Sequence, residues 1–295
     1  MRLSEDLLFA LAKRLYRTEI AHTEGMKGAL SDRDALERYR AGEIDRVMVA
    51  VREHGIDIQG KTVIDVGCNN GALSQRYLDQ GASEVIGFDI DTEAIQRARE
   101  RHTDARLRFI NSSVETIPLG DAVADVAISY DVFEHISRPD VMTRELFRIL
   151  QPGGTPLVGT QGWHHPFAPH LWSVVPVPWA HVFWSEHSLL SVSQRVYHAP
   201  WYRPTLHYFA PDGTRLPDKF THRAIPRDYL NHFLIRDFER VFEAEGFQCR
   251  THAAPFGSRY ARWTRVFLGV PGVREFVAGY VWFVLTKPAG PTPPS

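Results

Sequence analysis

Residues 63–74 read VIDVGCNNGALS. The opening residues Val63 to Val66 are apolar apart from Asp65 and have strand character; Gly67 and Gly71 bracket a tight turn, and Ala72 opens a helical pattern. Glycine suits such a turn because the chain reverses there and its backbone must approach a ligand with no Cβ in the way. The glycines alone would be a weak signal, and they gain weight from a second apolar run, Glu84–Phe88. That run ends at Asp89, about 20 residues on, where a carboxylate can accept hydrogen bonds from both hydroxyls of a ribose. A dinucleotide-binding turn wants a third glycine three positions past Gly71, and that position is Ser74.

The same texture extends outward. Leu107–Ile110, Val123–Ser129 and Thr155–Thr160 read as strands, with helices at Ala72–Gln80, Thr92–Arg101 and Val141–Leu150. This βαβα series predicts a parallel sheet covered on both faces. Upstream, residues 31–55 open on Ser31 and carry Ile44, Val47, Met48 and Val51 at helical spacing, and the first 30 residues also read as helical. Residues 161–225 lack sustained periodicity, are rich in aromatics and proline, and hold eight of the fourteen histidines, a composition that reads as an inserted lid. The series resumes with a helix at Ile235–Glu245, whose Ile235, Phe238, Val241 and Phe242 share a face and which Gly246 stops. Two last strands follow, near Phe247–Ala254 and Val277–Thr286, separated by a helical excursion containing Arg259–Phe267. The expected organisation is a doubly wound, Rossmann-like α/β fold with a seven-stranded sheet. Its parts are an N-terminal helical segment 1–57, a core 58–160, the lid 161–225, the rest of the core 226–289, and a proline-rich, disordered tail 290–295.

Bulk composition sets bounds. A net charge of −1 offers no overall field for gathering phosphates, so nucleic acid is not an expected partner. Cys68 and Cys249 make neither a disulfide framework nor a CxxC pair, which suits a reducing cytoplasm. No HExxH or familiar carboxylate–histidine spacing is present, so no metal is expected. The apolar run near the amino terminus is interrupted by Glu5, Asp6 and Lys13. Leu171–Trp184 and Phe276–Leu285 fall short of the roughly 20 residues that a spanning helix needs. Stable membrane insertion is therefore not expected, while the oligomeric state stays open, a homodimer included.

With these segments in view, the chain resembles the class I S-adenosylmethionine-dependent methyltransferases, in particular the bacterial small-molecule, type 11-like group. The resemblance is close over 58–160 and loose over 226–287. The 63–74 stretch resembles their first motif, and Asp89-Ile90, Phe109–Pro118, Ser129–His135 and Leu150–Gly154 match later motifs in order. This resemblance implies S-adenosylmethionine as cofactor and S-adenosylhomocysteine as product. It places Asp65, Gly67, Cys68, Asn69 and Gly71 around the methionine moiety, Asp89 on the ribose, Ile90 against adenine, and Ser113 and Val114 at the adenine edge. Tyr130 and Asp131 join the cofactor set from the fourth-strand motif. Two positions depart from the family pattern. Asn69 stands for the middle glycine, and asparagine tolerates left-handed backbone angles. Ser113 stands for a frequent acidic residue and still accepts one hydrogen bond.

Methyl transfer is an in-line displacement at an activated carbon, so the protein mainly positions the acceptor and excludes water. A hydroxyl acceptor also wants a base, and histidine titrates near working pH. Histidines near the carboxyl ends of strands four and five, where open α/β sheets hold ligands, are His135, His164, His165 and His170. The 169–172 and 178–186 stretches resemble a lid of some bacterial methyltransferases, which makes His170 and His181 the first candidates. The lid aromatics could close an apolar pocket over an acceptor or stack on a sugar ring. The end of strand four lacks the Asn/Asp-Pro-Pro-aromatic motif of amide and base nitrogen methylation. The expected acceptor is accordingly a hydroxyl oxygen of a biosynthetic small molecule or glycan-linked intermediate. A methyltransferase-like binding protein and a non-methylating cyclase or isomerase are the alternatives.

Overall fold

The computed structural model describes residues 4–18, 33–113, 116–204, 208–209, 214–256, 261–270 and 272–290. Ser31, Val114, Arg259 and the tail beyond Gly290 lie outside the described residues. In chain order the helices are α1 (Glu5–Thr18), α2 (Arg33–Glu53), α3 (Ala72–Asp79), α4 (Thr92–Arg101), α5 (Pro139–Ile149), α6 (Ala180–Phe183), α7 (Glu186–Tyr197), α8 (Ile235–Ala244), α9 (Ala261–Phe267) and α10 (Arg274–Val277). The strands are β1 (Thr62–Val66), β2 (Glu84–Asp89), β3 (Leu107–Asn111), β4 (Ala124–Tyr130), β5 (Leu150–Thr160), β6 (Gln248–Pro255) and β7 (Ala278–Thr286), with one 3₁₀ turn at Phe133–His135. They form a seven-stranded sheet in the order β3-β2-β1-β4-β5-β7-β6. β1 to β5 pair in parallel, and β7 runs antiparallel to β5, with Leu157 opposite Val284 and Thr160 opposite Val281. This is the Rossmann-like α/β fold expected from the sequence.

The chain divides into two compact units, Ile44–Gln161 with Phe233–Ala254 and Tyr280–Ser295, and Met1–Glu43 with Gly162–His232 and Pro255–Gly279. In the sheet unit, β1 and β2 are buried along nearly their whole length, which is why both read as continuous apolar runs instead of alternating ones. β6 alternates between exposed and half-buried positions, as suits a strand at the sheet edge. α4 buries Ala94, Ile95 and Ala98, and its first turn is capped by Asp91, whose carboxylate accepts from the backbone N–H of Glu93 and Ala94. Such a cap contributes about 1 kcal/mol. α8 presents Ile235, Phe238 and Phe242 inward, where Phe242 meets Phe133 and Phe283 edge-on, and Gly246 (φ 98°) follows its end.

β5 starts five residues earlier than the apolar pattern indicates, because Leu150 already pairs with Ala124, ahead of an irregularity in the register at which Gly153 takes a φ of 82°. α5 likewise starts at Pro139, whose fixed φ and missing N–H suit the first helical position.

The second unit has its own core. Leu8 and Ala12 of α1 belong to it together with Val174, Val175, Leu189, Val192 and Val196. α7 is not legible from its apolar pattern, because Ser188 and Ser193 share its buried face with Leu189, Val192 and Val196. Ser185 caps it by accepting from the Ser188 N–H.

Candidate active site

The loop after β1 is shaped by the glycines and the asparagine that the sequence singles out. Gly67, Asn69 and Gly71 all have left-handed backbone angles, at φ 71°, 47° and 78°. A Cβ on Gly67 would collide with Val132, and one on Gly71 would lie 2.6 Å from the Phe109 ring. Asn69 therefore meets the backbone demand of the family's middle glycine, as its tolerance of this region implies. The carbonyl of Phe88 accepts from the N–H groups of Gly67 and Cys68 at 2.9 and 3.2 Å, which ties the loop to the end of β2.

Asp89 stands at that end. Its Oδ2 accepts from the Asn69 N–H at 3.0 Å and its Oδ1 from the Asp91 N–H at 2.9 Å. An ionised carboxylate offers about four lone-pair positions, so two remain for incoming hydroxyls. The side chain of Asn111 donates to the carbonyls of both Asp89 and Ile90 at 3.0 Å and so fixes the turn between them. Ile90 is 75% exposed, an apolar side chain beside a ribose-type carboxylate with little protein packed over it. Ser113 comes just past Asn111, beyond the end of β3. Beneath the loop, Asp65 is buried and accepts from the Ser74 hydroxyl at 2.5 Å. Burial, the largest cause, raises its carboxyl to about 7, opposed by the Ser74 hydrogen bond and assisted by the charge of Asp89. Burial also pushes the Cys68 thiol up, which leaves it an inert packing group.

The carboxyl end of β4 carries an aromatic wall. Tyr130 stacks on Trp282 (5.9 Å, 21°), Tyr280 meets Trp282 edge-on, and the Tyr280 hydroxyl donates to Asp131 Oδ1 at 2.8 Å. Asp131 has φ 53°, a strained angle of the kind that clusters at ligand sites. In the 3₁₀ turn beyond it, Glu134 is buried, its Oε2 accepting from the Thr160 hydroxyl at 2.6 Å while Oε1 has no hydrogen-bond partner. Burial raises this carboxyl above the ordinary range.

The sheet order, the left-handed turn and the acid at the end of β2 together match a known architecture. Residues 64–158 match the type 11 family described as a methyltransferase domain. Over that stretch, about a third of its length, the chain is similar to this family. An uncharacterized methyltransferase of Mycobacteroides abscessus is 31% identical over 119 residues, 39% of this chain and 46% of that protein. The chain thus aligns with less than half the length of that relative. A second, from Mycolicibacterium gilvum, is 24% identical over 238 residues, 78% of each chain. Among solved structures, an S-adenosylmethionine-dependent methyltransferase from Mesorhizobium loti superposes with a TM-score of 0.50 at 15% identity, over 80% of this chain and 95% of that one. The 4+2 cyclase SpnF superposes with a TM-score of 0.50 at 19% identity, over 83% and 81%. At these identities the structures speak to the fold alone.

The cofactor that the motif resemblance implies is S-adenosylmethionine. The residues present fit it: a loop with no room for further Cβ atoms, a carboxylate with lone pairs to spare, and an exposed isoleucine beside that carboxylate.

The histidines have distinct settings. His135 closes the 3₁₀ turn after β4. His165 is buried, and its Nδ1 accepts from the Phe167 N–H at 3.1 Å. His164 stacks on Phe276 at 4.3 Å. His170 has a left-handed φ of 56°. His181 lines a small apolar pocket of about 10 Å³, room for about one water molecule, with Phe167, Leu171, Trp172 and Val177. Both its ring nitrogens are buried without a hydrogen-bond partner of normal geometry. Burial, with a smaller contribution from His164, lowers its pKa to about 4.

Sequence reasoning overlooks Asn111, Glu134, Tyr280 and Trp282. Glu134 lies within the fourth-strand motif but is eclipsed by its neighbour His135. The two aromatics sit in β7, whose place beside β5 only the sheet order reveals. His232, another omission, lies flat on Trp163 at 3.4 Å and 9°.

Proposed function

We propose that the chain transfers a methyl group from S-adenosylmethionine to a hydroxyl oxygen of a small molecule or glycan-linked intermediate, with His181 as the base. The carrying observation is the tether between Asp89 and Asn69, which holds a ribose-type carboxylate against the glycine turn at the carboxyl end of a parallel sheet. Bound donor supplies an electrophilic methyl carbon on a positively charged sulfur. The chain's own residues do the rest. Asp89 accepts from the ribose hydroxyls, Ile90 covers one face of the adenine, and the Asn69 turn admits the amino-acid end. Tyr130, Asp131 and Ser113 belong to the same proposed cofactor set.

His181 suits the base role because burial keeps its imidazole neutral at working pH. Its unprotonated ring nitrogen can take the acceptor's hydroxyl proton, and the apolar lining keeps bulk water from competing. A low pKa makes it a weak base, so the proton moves only as the oxygen gives up electron density to the methyl carbon. The remaining histidines, His135, His164, His165 and His170, are second candidates for the same role.

Calorimetry of the full chain with S-adenosylmethionine tests the cofactor half. Binding is expected, and Asp89→Ala should weaken it by about 1.5 to 3 kcal/mol for each charge-assisted hydrogen bond lost. An unchanged affinity would remove Asp89 from the site. For the base, His181→Leu should abolish turnover with donor affinity retained; full activity would exclude it. A product that has gained one methylene separates methyl transfer from the cyclase or isomerase alternative.

A further inference from the structure

Independently of the methyl-transfer reading, the second unit carries an inverted amphipathic helix. Trp263, Val266 and Phe267 of α9, with Val270 in the turn after it, recur at i, i+3, i+4 and i+7 and so share one side. That side faces solvent: these residues are 72%, 73%, 48% and 43% exposed, and α9 buries none of its residues. Small Ala261 and Thr264 sit on the other side, where the Thr264 hydroxyl reaches the Phe256 carbonyl at 3.5 Å. Soluble proteins rarely leave a helical apolar stripe outward. The charge of α9 itself is one-sided, since it carries Arg262 and Arg265 and no Asp or Glu. At about 100° per residue, Arg262 lies at one edge of the stripe and Arg265 about 60° further round the helix.

We propose that α9 and the turn after it form a peripheral docking surface for an anionic lipid bilayer. An outward Trp with apolar neighbours enters the headgroup boundary, where its ring has one apolar and one polar side to satisfy. The α9 arginines, Arg262 and Arg265, then meet lipid phosphate. A second copy of the chain fits this surface less well, because a two-fold contact sets a patch against itself and would bring the same arginines together. Among the described residues no helix is long and apolar enough to cross a membrane, so the contact is peripheral.

Flotation of the full chain with vesicles tests it. The protein should float with phosphatidylcholine vesicles containing phosphatidylglycerol, remain behind with pure phosphatidylcholine, and be released by high salt. Trp263→Ser combined with Phe267→Ser should abolish flotation, and Arg262→Gln or Arg265→Gln should each weaken it about fivefold. All four side chains are exposed, so thermal melting should match the wild type and certify the fold. Failure of the wild type to float, or variants that float equally well, would overturn the proposal. If light scattering shows a dimer that Trp263→Ser dissolves while vesicles stay unbound, the surface belongs to a second copy.

Discussion

At the scale of single residues, the two acids Asp65 and Asp89 have opposite environments. Asp89 is solvated and engaged by two backbone N–H groups, whereas Asp65 is buried with one hydroxyl donor. A carboxyl raised from 3.8 to about 7 is better protonated in the folded chain than in the unfolded one. Its contribution to stability is therefore present below the unfolded value and is lost as pH rises through about 7. Asp65→Asn keeps a neutral, hydrogen-bonding side chain and removes that loss. The variant should be more stable than wild type at pH 8, by at most about 4 kcal/mol, and the gain should vanish near pH 4. Denaturant melts at the two pH values check this. If Asp65 also meets the donor's amino group, the same variant should bind S-adenosylmethionine more weakly, so stability and affinity would move in opposite directions.

At the scale of elements, β5 is thinned so that β7 can seat an indole beside it. Gly159 lies opposite Trp282 in the ladder, and a Cβ there would sit 2.5 Å from the indole and 2.7 Å from the Tyr280 hydroxyl. Gly159→Ala should destabilise the chain by about 1 to 3 kcal/mol. Adding Trp282→Leu should return part of that loss, and a double-mutant cycle measures the coupling. Here the limit of sequence reading is plain. β1 and β2 are legible because central parallel strands need apolar runs, and the left-handed angle of Asn69 follows from the family's glycine at that position together with asparagine's tolerance of it. The Gly159–Trp282 pairing spans more than a hundred residues, and no local pattern encodes it. α7 escapes for a different reason: serines occupy its inward face, so apolar periodicity underestimates its burial. The Asp89–Ile90 turn is foreseeable, while Asn111, which pins it, carries no signal beyond being a polar residue at a strand end.

At the scale of the whole molecule, the buried titrating groups pull stability in opposite directions as pH falls. Asp65 and Glu134 have carboxyls raised by burial, so each favours the folded state increasingly between pH 7 and 4. His181 and His232 are both lowered from 6.5 to about 4, His181 by burial and then His164, His232 by burial and then Arg227 and His181. A depressed histidine takes up its proton more readily when unfolded, so its contribution is present above about 6.5 and is lost as pH falls through about 4. The two pairs overlap in window and oppose in sign, and the chain's melting temperature should therefore be flat between pH 7 and 4.5. Single substitutions should tilt it predictably. His181→Leu removes an acid-destabilising group, so its melting temperature should rise relative to wild type as the solution is acidified. Glu134→Gln removes an acid-stabilising group and should fall relative to wild type over the same range. Thermal scans of the three proteins at matched ionic strength decide the matter. Parallel curves for all three would mean that these side chains reach water in the folded chain, and that the polar interiors of both units are wetter than their packing indicates.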